Sequence, residues 1–214
     1  MSNQTGLITR LTERLAHFTA RPLKVRLPEA AVLVAITQAA EPEIILTQRA
    51  AHMSTHAGQV AFPGGKRDPQ DLSLEQTALR EAHEEVNLPP EDVQLLGRLS
   101  DVISLHGMKV TPYVGLVPDQ LVLTPCCQEL ASVFRLPLSW LLDDPRTHTD
   151  VIHVAGQAIY IPSYTYQEYR IWGLSALILT ELLQQGLGLD MDPYRQPVGR
   201  LVHHPERPLP FQPE

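Results

Sequence analysis

The chain has 214 residues, 43% of them hydrophobic, and a formal net charge of −7. This length suits one domain with extensions, and the composition supports a substantial core. The acidic balance argues against a general nucleic-acid surface, and no apolar run reaches the roughly 18 residues that would cross a membrane, so neither is an expected partner.

Met1 to Arg10 lacks the apolar core of a secretory signal, which makes cytoplasmic residence the expectation. Leu7, Leu11, Leu15 and Phe18 recur at helical spacing and predict an amphipathic helix over about residues 5–18. Arg21 to Pro28 reads as a connector. The apolar run Ala31 to Ile36 reads as a buried strand, Glu41-Pro42-Glu43 as a turn, and Ile44 to Gln48 as the return strand. A polar connection from Arg49 to Gln59 holds His52, Ser54 and His56, and Val60-Ala61-Phe62 is a short strand delivering a glycine loop at Gly64-Gly65.

Ser73, with Gln76 three residues on, predicts a capping-box start. The helix should run from about Leu74 to Val86. Asn87 tolerates the left-handed conformation that ends helices, and Pro89-Pro90 prevents continuation. Inside it, Glu81, Glu84 and Glu85 stand at i, i+3 and i+4 and share one face. Three carboxylates there repel one another, so the helix gains nothing from them. A divalent cation turns that repulsion into a binding site, and hard oxygen ligands suit Mg²⁺ or Mn²⁺, commonly together with substrate phosphates.

Val93 to Ser100 and Lys109 to Val117 are strand-like, joined by a loop with Ser104, His106 and Gly107. The adjacent Cys126 and Cys127 read as reduced structural thiols rather than a disulfide framework. Gln128 to Leu136 leads to Pro137 and a short helix near Ser139 to Leu142. Val151 to Val154 and Ala158 to Ile161 flank Gly156 as a β-hairpin, with Tyr164 to Tyr169 as an added edge. Leu174, Leu177, Ile178, Glu181 and Leu182 define a last helix ended by Gly186. From about Leu187 the tail lacks periodicity and reads as loop, partner arm or disorder. Strands alternating with helices and hairpins predict a mixed sheet covered by helices.

Gly65, Asp71, Arg80-Glu81, Glu84-Glu85 and Leu88 resemble the Nudix box, the signature of Nudix hydrolases. Asp71 takes the acidic place, with one more residue than usual before Arg80, and Asn87 stands where the family has glycine. A narrower resemblance lies upstream. Ile45 to Ala50 and Gly58 to Gly65 are similar to the signature of the coenzyme A pyrophosphatases within that family, with Ser54 where the signature has arginine. Val110 to Gly115 and Ile171 to Ala176 are similar to segments of the same subfamily.

The resemblance implies an α/β (α+β) protein, a Nudix-type α/β/α sandwich with a mixed sheet. Residues 1–28 would be an N-terminal helix and connector, 29–186 the Nudix hydrolase domain and 187–214 a C-terminal tail. It implies Mg²⁺- or Mn²⁺-dependent hydrolysis of the pyrophosphate bond of coenzyme A or a derivative. The alternatives are another nucleoside diphosphate derivative, such as ADP-ribose or a dinucleotide, and a non-catalytic nucleotide-sensing module. The partner is then a small nucleotide of the coenzyme A type, with a homodimer left open. Glu81, Glu84 and Glu85 are the expected metal ligands, with the Gly65 carbonyl as a fourth from the resemblance. Glu84 and Glu129 are the candidate general bases, and Arg80 the residue that orients Glu84. Asp71 reads as a structural carboxylate favouring the helix N-terminus. Arg49 is the first choice for a substrate phosphate, with Lys66, Gly64 and His106 as further substrate-binding candidates.

Overall fold

The computed structural model describes residues 5–52, 57–126, 128–154 and 156–206. Ser54, Cys127 and residues 207–214 therefore lie outside the described residues.

Helix α1 (Thr5–His17) buries Leu7, Leu11 and Leu15, one turn apart on a single stripe. Arg14 Nε donates to Gln185 O at 2.8 Å, so α1 is also held by the carbonyl end of the last helix.

Strand β1 (Glu29–Thr37) is the centre of the main sheet. Its period-2 alternation serves two cores at once, because both faces are covered. Ala31, Leu33 and Ala35 face the acidic helix, whereas Val34 and Ile36 face a larger cluster containing α1. β2 (Glu43–Arg49) was expected to return beside β1, but the two share only the Ile36↔Ile44 pair. The start of β1 is taken along that edge by β4 (Gly64–Lys66), in the register Ala31↔Gly65. The expected glycine loop is thus a strand, and β3 (Val60–Ala61), which pairs with β2, leads into it.

The other edge of β1 pairs in parallel with β7 (Lys109–Val117), from Glu29↔Lys109 to Thr37↔Val117. β5 (Gln94–Arg98) and β6 (Val102–Ile103) flank β7, so the expected 101–108 loop contains a short strand. β8 (Leu130–Pro137) runs antiparallel along the whole of β2. The result is a mixed eight-stranded sheet.

Helix α2 (Leu74–Val86) covers one face of it. Ala78, Ala82 and Val86 pack on Ala31, Leu33, Ala35 and Ile45, and small residues on both sides let helix and sheet approach closely. Ser73 Oγ accepts from Gln76 N–H at 3.1 Å, a cap worth about 1 kcal/mol. The reciprocal half of the capping box differs from expectation: the Gln76 side chain accepts from Leu72 N–H, not from Ser73. Asn87 ends the helix at φ 57°, ψ 39°.

The opposite face carries α1, α3 (Gly173–Glu181, continued by a wider turn Leu182–Gly186) and a second sheet. That sheet has the order β11-β10-β9-β12. The expected hairpin is longer than the sequence suggests, β9 being Arg146–Val154 and β10 Gln157–Tyr166. The expected edge splits between the end of β10 and β11 (Tyr169–Ile171). The tail also departs from expectation. Leu187 and Met191 are buried, and β12 (Leu201–His203) pairs in parallel with β9, where His204 Nε2 meets Asp150 Oδ1 at 2.7 Å. Three residues are too few for a period to register in sequence. No helix among the described residues is long and apolar enough to cross a membrane.

Candidate active site

The acidic face of α2 turns toward β4, and the two are joined by direct contacts. Gly64 N–H donates to Glu85 Oε2 at 3.0 Å. A Cβ on Gly65 would stand 2.5 Å from the Glu81 carboxyl carbon, so bare backbone at that position lies against this carboxylate. Gly64 is equally confined on its other side, where a Cβ would meet Ala31 O at 2.4 Å. The double glycine thus serves close approach on two sides, to β1 and to α2.

Arg80 holds the cluster from the N-terminal side. Its Nε and Nη2 make paired 3.0 Å bonds to the two oxygens of Asp71. Nη1 reaches Glu81 Oε1 at 3.0 Å and Glu84 Oε2 at 3.1 Å, and Nη2 also donates to Lys66 O at 3.2 Å. The expected Arg80–Glu84 contact is therefore present, but its main partner is Asp71. Asp71 is buried and further accepts from Thr77 Oγ1 and Asp68 N–H, both at 2.9 Å. The guanidinium holds the Asp71 carboxyl well below the usual range, against the opposing effect of burial. Asp71 acts as the anchor of this arginine rather than as a dipole partner alone.

The remaining carboxylates are under electrostatic pressure. Burial, with Glu81 and Glu129 adding to it, pushes Glu85 up to about 7, although the Gly64 N–H and Arg49 pull the other way. Burial also raises Glu81, with Glu84 and Glu129 contributing and Arg80 opposing. Glu129 precedes β8, and its carboxylate is half exposed, 3.8 Å from Arg49 Nη2. Backbone bonding fixes this juxtaposition, because Ala50 N–H donates to Glu129 O at 2.8 Å. Arg49 Nε is buried without a hydrogen-bond partner among the described residues.

The sequence-derived candidates thus separate. Glu81, Glu84, Glu85, Glu129, Arg49, Arg80, Gly64 and Gly65 come together around the α2–β4 seam. Lys66 contributes its carbonyl to Arg80 while its residue is exposed at the end of β4. His106 sits on the exposed β6–β7 turn. Arg67 and Lys109 are both engaged by Glu29, at 2.9 and 2.7 Å.

No three acidic, histidine or cysteine side chains among the described residues are arranged to hold one metal ion. Glu81 and Glu84 lean onto Arg80 and Glu85 onto Gly64 N–H, the donors nearest to each. The donor set nevertheless fits a hard dication, because Glu84 and Glu129 press on Glu81, and Glu81 and Glu129 press on Glu85, at one seam.

The NUDIX domain family model matches residues 27–138 of the chain. The "Uncharacterized Nudix hydrolase NudL" of Photorhabdus laumondii subsp. laumondii is 47% identical over 156 residues, covering 73% of this chain and 83% of that protein. The protein of the same name from Enterobacter sp. (strain 638) is 45% identical over 157 residues, covering 73% and 82%. Among solved structures, a Nudix hydrolase from M. Smegmatis, RenU, is 25% identical with a TM-score of 0.45, covering 59% of this chain and 76% of that one. The family match and the relatives define a hydrolase class on this mixed-sheet fold covered by helices. The chain belongs to the Nudix family, whose hydrolases act on small nucleotides with divalent metal ions.

The Asp71–Arg80 pair carries a stability prediction. Asp71→Asn should cost about 3 kcal/mol, the order found when one partner of a buried pair is removed, and lower Tm by roughly 6–12 °C. Because the folded-state carboxyl is depressed, its contribution is fully present above the unfolded value near 4 and is lost as pH falls below it. Thermal melts from pH 7 to pH 2.5 should therefore draw together in acid without meeting, because the folded carboxyl titrates below that range. A difference in Tm that does not narrow in acid would mean that the Asp71 charge is not what the pair contributes.

Proposed function

We propose that this hydrolase cleaves the pyrophosphate bond of coenzyme A or its derivatives, giving adenosine 3′,5′-bisphosphate and 4′-phosphopantetheine. The observation that carries the reading is how the upstream signature folds. Its two halves form one wall, with Thr47 Oγ1 donating to Ala61 O at 3.1 Å and Arg49 N–H to Gln59 O at 2.9 Å. That wall continues through Gly64 to Glu85, so the residues resembling coenzyme A pyrophosphatases border the carboxylate cluster.

In this reading Glu81, Glu84 and Glu85, with the Gly65 carbonyl, would hold Mg²⁺ or Mn²⁺. When bound, the metal neutralises the diphosphate and lowers the pKa of bound water. Arg49, whose Nη2 lies 3.8 Å from Glu129 at the edge of the cluster, would take a phosphate oxygen. Arg80, anchored by Asp71, positions Glu84. Water adds to one phosphorus, the bridging P–O bond breaks with its electrons staying on the departing phosphate, and a carboxylate takes the water's proton. Glu84 and Glu129 are the half-exposed carboxylates suited to that last role.

ADP-ribose or a dinucleotide is the second substrate class, favoured by Ser54 in the place of the signature arginine. A non-catalytic sensor is disfavoured by the complete glutamate set. The test is a product assay over coenzyme A, dephospho-coenzyme A, ADP-ribose and dinucleotides, with Mg²⁺, Mn²⁺ or EDTA. Coenzyme A should yield both named products with metal and none with EDTA. Rapid cleavage of ADP-ribose with coenzyme A inert would overturn the substrate reading and leave the hydrolase class standing.

A further inference from the structure

Strand β8 pairs with β2 along one edge, and among the described residues no strand pairs with its other edge. Beside β8 runs the segment 121–125, and between them lies a groove of about 530 Å³. Leu121, Leu123, Pro125, Ala131 and Val133 give it apolar walls. The segment is fastened to the end of α2, where Thr124 N–H donates to Val86 O at 3.1 Å and Cys126 N–H to Glu85 O at 2.8 Å. The groove begins at Ala131, just past Glu129, and so adjoins the carboxylate cluster.

Its polar side chains are Arg135 and Ser132. Arg135 closes the far end, but its guanidinium donates to Asp119 O at 2.9 Å and Leu121 O at 3.1 Å and pairs with Glu43 at 3.5 Å. Ser132 also lines the groove, and its hydroxyl is buried without a hydrogen-bond partner among the described residues. That hydroxyl is closed to solvent, so a ligand in the groove meets no free side-chain charge or hydroxyl.

We propose that this groove binds a neutral, extended, amide-bearing arm attached to the diphosphate; for the coenzyme A reading above, on which this rests, that arm is pantetheine. A second nucleotide would bring charge or a polar base into a groove without a free charged partner. A ribose would bury several hydroxyls where no side chain offers them a partner. Secondary amides separated by methylenes suit both features. They pair with an open strand edge as an added strand does, while their methylenes lie on the apolar walls. The length is also right, since Ala131 to Arg135 spans about 13 Å at the rise of a strand, close to an extended two-amide chain.

Backbone amide NMR of the full chain, titrated with pantetheine under reducing conditions, reads the site directly. Shifts should concentrate on residues 121–125 and 131–135. Ala131 is exposed, so Ala131→Trp fills the groove from outside and should weaken binding about 10-fold, the scale of a blocked apolar pocket. In turnover, Ala131→Trp should raise KM for coenzyme A more than KM for ADP-ribose. Shifts elsewhere, no shifts at millimolar pantetheine, or equal KM changes for both substrates would each overturn the proposal. If Ala131→Trp does not fold, the wild-type shift map decides it. Failure of the wild type to cleave coenzyme A would refute the substrate reading alone, because the pantetheine titration still reads the groove.

Discussion

Glu85→Gln is expected to lower kcat by at least about 10²-fold, the scale on which lost metal charge or acid–base groups act. Glutamine keeps the shape of the side chain and can still accept from Gly64 N–H. What disappears is a buried negative charge pressed by Glu81 and Glu129. Its removal relieves repulsion, so Tm should hold or rise while turnover collapses. Glu84→Gln tests the exposed end of the cluster. It forfeits a surface pair with Arg80 worth about 0.5 kcal/mol, and kcat should again drop by about 10²-fold or more. Steady-state kinetics at saturating Mg²⁺, together with thermal melts, decide the matter. Near-full activity in either variant would remove that residue from the site.

Gly65→Ala and Gly64→Ala should fail in opposite ways, although the positions are adjacent. At Gly65 the new Cβ meets only the carboxyl end of Glu81, at 2.5 Å from its carbon and 2.6 Å from each oxygen. That end can swing aside, so the fold should survive with a modest loss. The displaced carboxylate is the one expected to hold metal, and a misplacement of about 1 Å can cost about 10²-fold in rate. At Gly64 the Cβ meets Ala31 O at 2.4 Å and Val32 Cα at 2.6 Å, both backbone of the central strand. No rotamer relieves that clash, and a loss above about 3 kcal/mol is expected. Purified yield, Tm and kcat for the pair separate the two cases. A Gly65→Ala protein with normal kinetics and a lowered Tm would make Gly65 an ordinary strand glycine.

The parts of the site legible in sequence are those written in short-range periodicity. The i, i+3, i+4 spacing of Glu81, Glu84 and Glu85 fixed a shared face, and Ser73 and Asn87 bounded the helix that carries it. The Asp71–Arg80 clamp was half visible. Arg80 lies one turn from Glu84, but Asp71 sits in the loop before the helix, where no period relates the two. Strand order was less legible still. The hydrophobic run of β1 looks the same whether its neighbour is β2 or β7, because burial on both faces erases the pattern that would choose. In sequence the glycine pair reads as a loop leading into the helix, since glycine is depleted in strands and frequent in turns. It is a strand because only a chain without side chains fits between β1 and α2.

The short strand β12 lends little energy of its own, yet it lies against Thr149 to Val151 in the middle of β9, a nine-residue strand at the margin of the second sheet. Uncovered, such a margin is a template for any other extended chain. β12 therefore works as a guard against self-association. A protein truncated just before Leu201, which keeps the buried Leu187 and Met191, would be expected to show its main defect on concentration, as oligomers built edge to edge.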